Sequence, residues 1–565
     1  MRAATPSRGI GAAEVILGLS VGILVVVVAV PVLVIFFNAF WVNGQFNLAD
    51  TLKILREPDT YTALLNSLFI ASGVTVMSTI IGTFFAWLVT RTDLPFKPAM
   101  RVLFLVPFML PSFIGALAWK MLLSPRAGYI NRFLMDVVGL DGPVFDIYTF
   151  PGIMAVETMY LFPFVFIQVC GALERMDPTL EESARISGAS LFTITRKITI
   201  PLVRPSILSG ALLIMLYSMA HFGTVAVLGI EVGIFNIPTL IYEKIHQSAG
   251  SFNSIRTGTV LATVLVITAA LIMFIQSKVL SRGRYQIIAG KSFRPAETKL
   301  RALRMPMLVF CIAYIGFTIV LPTVTIFMVG GLKTYGLPFT AENLTLANYR
   351  YILFDWKLTR DAIWNSVTLG LAAALITMFA GVMISYVIVK MKVRGKGLLE
   401  FLGMLPFSVP GSVIALGVML AWSGKFGINI YNTVWIILVA YIARYMAFSL
   451  KANSAALEQV HDSLVEAARA SGAGMGQALR DIVLPLVRPG MFAAFFLIFL
   501  PALRELTVSV LLYGPTTRTI GVAIYTLNED GETVYSAALA GIALMIIVTA
   551  QTLIGRFTRA RAATY

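Results

Sequence analysis

Two stretches decide how this chain is read: EESARISGASLFTITRKITIPLVRP (181–205) and VEAARASGAGMGQALRDIVLPLVRPG (465–490). At a constant offset of 284 residues, 13 of the 24 positions from 182 to 205 are identical to those from 466 to 489. Ordinary residue usage gives roughly one or two such matches. The shared residues include Glu182/Glu466, Ala184/Ala468, Arg185/Arg469, Gly188/Gly472 and the run from Pro201 to Pro205, repeated from Pro485 to Pro489. A period this long marks two duplicated halves rather than a short solenoid.

Each polar stretch sits between long apolar runs. Of the 565 residues 58% are hydrophobic and only 13% charged, about half the charge of a soluble protein of this size. Twelve runs reach bilayer-crossing length: 15–38, 65–89, 102–123, 152–172, 206–229, 258–279, 307–329, 363–389, 399–422, 432–452, 490–512 and 537–557. The first follows Arg2 and Arg8 but is too long for a signal peptide and lacks a small-residue cleavage site, so it reads as a retained anchor. The fold class is therefore an all-α integral membrane protein of about twelve transmembrane helices.

The net charge of +16 is topological. Basic residues gather after even-numbered runs (Arg91, Lys97 and Arg101; Lys278 to Arg304; Lys390 to Lys396), whereas Asp136, Asp141, Asp146, Glu529, Asp530 and Glu532 follow odd ones. That alternation puts both termini in the cytoplasm. Nucleic acid is not indicated, since no basic, aromatic-bearing soluble domain exists to hold it.

Further anchors repeat at an offset of 299: Asn66-Ser67 with Asn365-Ser366, and VPFMLPSFIGAL from Val106 with LPFSVPGSVIAL from Leu405. The fall to 284 means that fifteen residues are missing from the second half, and the outer loop at 124–151 against 423–431 is where they go. Six runs separate the two polar stretches, so both lie on one face and the halves are parallel repeats about an axis along the membrane normal. The division is 1–280, a basic cytoplasmic linker 281–306, and 307–565.

Within each polar stretch Glu-x-Ala-Arg reads as a short helix, with Asp177-Pro178 at its start and Glu182–Arg185 and Glu466–Arg469 spaced i,i+3 on one face. Gly188 and Gly472 permit a sharp bend. A second helical piece then runs to Pro201 or Pro485 before the next span. A helix that only caps the bundle needs amphipathicity, not matched identities. Duplicate cytoplasmic knobs imply duplicate sockets on a two-fold partner.

This pattern, a Glu followed by Ala, a Gly six residues on and then Leu-Pro, resembles the cytoplasmic coupling loop of binding-protein-dependent ABC importer permeases, with Ser183 in place of the family's usual Ala. Within that family AWLVTRTDLPF, PSFIGALAW, HFGTVAVLG and ELTVSVLLYG resemble the ferric iron permeases. The resemblance implies that the loops 173–205 and 453–489 seat on two copies of a cytoplasmic ATPase subunit, through Glu182, Ala184, Arg185, Gly188 and Pro201 and through Glu466, Ala468, Arg469, Gly472 and Pro485. It also implies a periplasmic solute-binding protein that delivers cargo at the inner membrane, with ferric iron first and thiamine, polyamine or phosphonate as alternatives. The long outer loop 124–151 is a candidate landing site for that protein.

The chain shows no ATP site of its own. AGKS at Ala289–Ser292 hints at a phosphate loop, but Tyr285 stands where a glycine is required. His221, His246 and His461 lack metal-ligand spacing, Cys170 and Cys311 lie in apolar runs, and no nucleophile and base are paired. No cofactor, metal or catalytic residue is expected. At the 284 offset His221 falls on Glu505, and ionisable groups inside a membrane line pathways or latch helices, which makes these two candidates for the translocation path. A secondary transporter is the rival class, but it couples through intramembrane acids, which this chain reads as having few of.

Overall fold

The structure is a computed structural model, described over residues 12–42, 44–247, 252–282 and 297–562. The candidate phosphate loop at Ala289–Ser292, Arg2, Arg8 and most of the basic linker lie outside the described residues. Among the described residues, ten helices are long and apolar enough to cross a bilayer, and two bent helix pairs bring the number to twelve. The continuous ones are Glu14–Phe40, Pro58–Arg91, Phe150–Arg175, Leu191–Met219, Ser254–Val279, Arg301–Gly330, Lys357–Lys390, Val434–Glu458, Gly476–Leu503 and Thr533–Gly555.

The duplication is geometric as well as textual. Pro58–Arg91 and Lys357–Lys390 are both 34 residues long, 299 apart. Phe150 and Val434, which open the fourth and tenth spans, lie 284 apart, as do Ile200–Met219 and Leu484–Leu503. The offset changes between Leu123 and Phe150, where the first half inserts the helix Tyr129–Asp136. The fifteen-residue difference is thus placed in the loop between Leu123 and Phe150.

Run length alone misses two features. The third and ninth runs are not straight spans: Lys97–Met109 meets Ser112–Leu123 at 90°, and Lys396–Ser408 meets Gly411–Trp422 at 116°. Pro111 and Pro410 sit at the breaks in extended conformation, where a ring without an N–H cannot continue the ladder. Freed carbonyls in a membrane need donors. Arg504 Nη1 donates to the carbonyls of Phe108 (3.0 Å) and Met109 (2.6 Å), and Arg444 Nη1 donates to that of Val409 (2.8 Å). The fifth and eleventh spans also end earlier than their apolar runs, at Met219 and Leu503, and the remaining residues form short helices, Gly223–Leu228 and Ser509–Leu512.

The first span of each half packs on the other half as well as on its own. Glu14–Phe40 lies against Gly411–Trp422, so close that a Cβ on Gly417 would stand 2.7 Å from the Pro31 carbonyl. Reciprocally, Tyr314 and Phe317 of the seventh span stack on Phe85 and Trp119, with centroids 4.8 and 4.6 Å apart. Small residues and aromatic contacts carry this packing, since lipid offers helices no hydrophobic drive to associate.

Candidate functional site: two coupling loops and a polar seam

The two loops share one backbone design. In the first, helix Thr179–Ile186 begins where Asp177 Oδ1 accepts from the Thr179 N–H (2.9 Å). It ends in a closed turn: the Ala189 N–H donates to the Ala184 carbonyl and the Gly188 N–H to that of Arg185, both at 3.0 Å. The second, Asp462–Ala470, closes the same way, Ala473 to Ala468 (3.0 Å) and Gly472 to Arg469 (3.1 Å). Gly188 and Gly472 take φ of +80° and +88°, the left-handed position that terminates such a helix. The repeated Ala, Arg, Gly and Ala are therefore the residues that set one bend twice. Ser187 and Ser471 reinforce it by donating to the carbonyls of Ser183 (2.9 Å) and Ala467 (3.0 Å).

Glu182, Arg185, Glu466 and Arg469 are exposed, and Ala184 and Ala468 half-buried. The i,i+3 pairing is not what holds the first helix: Arg185 turns to the Thr298 hydroxyl at 3.4 Å. Nor do Pro201 and Pro485 end a helical piece. Leu191–Met219 is one helix, as is Gly476–Leu503, and a π turn at Thr195–Thr199 or Leu479–Val483 precedes each proline. The wider turn accommodates a residue that cannot donate to the carbonyl four positions back.

Sequence reasoning missed what pins each loop helix to the bundle. Arg91 donates to the Leu173 carbonyl (3.0 Å) and faces Glu181, Nε to Oε2 3.6 Å, with both side chains buried. The Thr199 hydroxyl donates to the other Glu181 oxygen at 2.5 Å, tying both arms of the loop together. In the second half Lys390 stands at the matching place, but binds the Val460 carbonyl (2.5 Å) and Asp462 (2.6 Å). That hydrogen bond and the lysine's charge hold the Asp462 carboxyl below the usual range. Val465 replaces Glu181 in the sequence, which was the available signal of asymmetry. His461 also has a structural use: its Nδ1 accepts from the Ser463 N–H (3.3 Å) at the helix start. The tips differ too. Ile186 and Phe192 are 88% and 73% exposed beside Gly188, where the second loop has Ala470 and Gly476.

The seam lies deeper. His221 and Glu505 each follow the matching helix by two residues, at equivalent register positions in the two halves. They do not bond to one another. His221 Nε2 lies 2.9 Å from the Ser112 hydroxyl at the break of the third span, and its carbonyl accepts from Asn236 Nδ2 (2.7 Å). Glu505 accepts from the Tyr445 hydroxyl (2.6 Å) and the Val508 N–H (3.0 Å). Arg504 is occupied with the carbonyls of the broken helix, which joins the two halves. Glu157, a lone acid in MAVETMYLF, is fully buried and accepts from Ser218 (2.6 Å). It adds one buried acid to the few read from sequence. Among the described residues no three His, Cys, Asp or Glu gather as a metal site, and both cysteines are buried and free.

Comparison with known proteins agrees with this arrangement. The family model for "Binding-protein-dependent transport system inner membrane component" matches twice, over residues 78–284 and 373–561. The chain is 30% identical over 525 residues to the "Ferric transport system permease protein FbpB" of Actinobacillus pleuropneumoniae, covering 92% of this chain and 74% of that one. It is 30% identical over 505 residues to the "Putative ferric transport system permease protein FbpB 1" of Haemophilus influenzae, covering 88% and 77%. A shorter match, 33% over 210 residues, covers 36% of this chain and 75% of the "Spermidine/putrescine transport system permease protein PotB" of Escherichia coli. With both halves matched and relatives aligned over most of its length, the chain belongs to the family of binding-protein-dependent transport system inner membrane components.

Proposed function

We propose that this inner-membrane permease imports ferric iron, received from a periplasmic binding protein, with ATP hydrolysed on two separate cytoplasmic subunits seated on 173–205 and 453–489. In this reading 1–280 and 307–565 are the two permease halves, 281–306 links them in the cytoplasm, and both termini face the cytoplasm. The observation that supports the coupling reading is the pair of exposed helices closed by the same backbone turn, each between matching spans of its half. Glu182 and Glu466 offer a charge for each socket, and Gly188 and Gly472 set the angle at which it is presented. The cargo reading is supported by the ferric permeases that align with nearly the whole chain.

His221 and Glu505 line the route between the halves in this account, and the helix at Tyr129–Asp136 serves as landing surface for the binding protein. Polyamine uptake is the second reading, favoured by the 210-residue match to a spermidine/putrescine permease. Reconstituting the permease with its ATPase and binding protein in proteoliposomes separates the two. ATP-dependent uptake of ferric iron, unaffected by excess spermidine, is the expected result. Uptake of spermidine without iron would overturn the cargo assignment.

A further inference from the structure

The short helices that follow the fifth and eleventh spans, Ile237–Gln247 and Ile520–Glu529, begin 283 residues apart. The first climbs to the outer end of the bundle. Its Ile237 N–H donates to Ser67 (2.9 Å) inside the second span, and Lys244 reaches Asp59 (2.9 Å) at that span's outer start. At this register Tyr242 is the mate of Tyr525, and His246 the mate of Glu529. The two halves meet here around one carboxylate. The Tyr525 hydroxyl donates to Glu529 Oε1 (2.7 Å) and the Tyr242 hydroxyl to Oε2 (3.3 Å). Both phenol rings are buried, edge to face at 5.9 Å, while Glu529 is exposed at the mouth. Phe222, next in sequence to His221, packs against both rings at 5.4 and 5.9 Å.

We propose that Tyr242, Tyr525 and Glu529 form an outer-face receiving site for ferric iron between carrier and seam, an inference that rests on the ferric reading above. Fe(III) is a small trivalent ion that takes oxygen donors, and carboxylate and phenolate are the anionic ones. On binding, two Fe–O(phenolate) bonds and one Fe–O(carboxylate) bond form as three bonds from the ion to its incoming oxygen ligands, citrate or water, break; two phenol O–H bonds break, two protons leave to the outer solvent, and the other coordination positions keep their incoming ligands. The oxidation state does not change. Three negative ligands then cancel three positive charges, so the ion rests against the buried rings of Phe222, Tyr242 and Tyr525 without the cost of an unpaired buried charge. His246 flanks the site, its ring 4.3 Å from that of Tyr242. With its Nδ1 hydrogen on the Tyr242 carbonyl (3.2 Å), Nε2 offers a lone pair as a further donor. Glu243 and Asp530 add negative charge nearby. Of the neighbouring cations, Lys120 is held by Glu231 and the side-chain carbonyl of Asn528, Lys244 by Asp59, and Arg518 lies over the Tyr513 ring at 5.8 Å.

The test uses the full-length permease in detergent, titrated with ferric citrate, and in parallel ferric uptake by the assembled transporter. Wild type is expected to give a visible phenolate-to-iron charge-transfer band that strengthens as pH rises and the two protons are lost. Tyr242→Phe and Tyr525→Phe keep the packed rings and should each weaken ferric binding about tenfold or more, with lower uptake. Size-exclusion profiles check that they fold. Should either aggregate, the exposed Glu529→Gln carries the test, and a band of wild-type strength there overturns the site. A wild type that imports ferric iron but shows no band, or a band unchanged in the phenylalanine variants, overturns the site while leaving the cargo reading intact. A wild-type transporter that imports no ferric iron overturns the cargo reading and the site with it.

Discussion

Arg91 and Lys390 occupy the same place at the C-terminal ends of the second and eighth spans, yet they do different work. Arg91 faces a buried carboxylate that the loop supplies, whereas Lys390 reaches an exposed one. Breaking a buried pair leaves a charge with no partner and costs about 3–5 kcal/mol, while exposed pairs contribute little. Arg91→Ala should therefore lower the thermal midpoint of the purified permease far more than Lys390→Ala. Equal shifts would show that burial at Glu181 is not what separates them. The Asp462 carboxyl is held low, so its contact with Lys390 is present at neutral pH and is lost only as pH falls through that depressed value. Glu182, Gly188 and their mates were legible as residues because both copies spell them. Glu181 was not, because its role depends on Arg91, 90 positions away in sequence, and the second copy carries Val465 there.

At the scale of elements the sequence is most legible where apolar length and helix length agree, as in the second, fourth, eighth and tenth spans. It is least so where proline interrupts a run. The third and ninth runs have enough apolar residues to cross straight, and Pro111 and Pro410 were visible, but a proline can kink, end or simply sit in a helix. What makes a break tolerable is a donor for the freed carbonyls. Arg504 supplies it from the opposite half, a pairing that local pattern does not contain. Hydrogen bonds to charged groups contribute about 1.5–3 kcal/mol each. Arg504→Met should lower the thermal midpoint and ferric uptake together, since the same side chain joins the halves and holds the break beside Ser112 and His221. Unchanged stability would mean that water or another donor serves those carbonyls. The π turns before Pro201 and Pro485 were likewise invisible, because period-based reading assumes an unbroken α-helical repeat.

Considered as a whole molecule, the chain is two copies of one six-span plan, with first spans that bridge both halves and one long loop, between Leu123 and Phe150, in the first half only. The plan was readable because two offsets, 299 and 284, persisted through the sequence and recur in the helix ends. The packing of each first span across both halves was not, as nothing in an apolar run names the surface it packs on. Orientation follows from charge: a cysteine placed at Ser190 should label only from the cytoplasmic side and one at Ala127 only from outside. The reverse pattern would invert the molecule and remove both loops from any cytoplasmic partner.

The central claim is that two equivalent loops each seat one ATPase subunit, and the most direct measurement is the mass of the purified complex by native mass spectrometry. Wild type should carry two ATPase subunits per permease chain. Glu182→Lys or Glu466→Lys, each reversing one exposed charge, should leave one, and the double variant none, with the permease still inserted in the membrane. A double variant that retains both subunits would contradict the account.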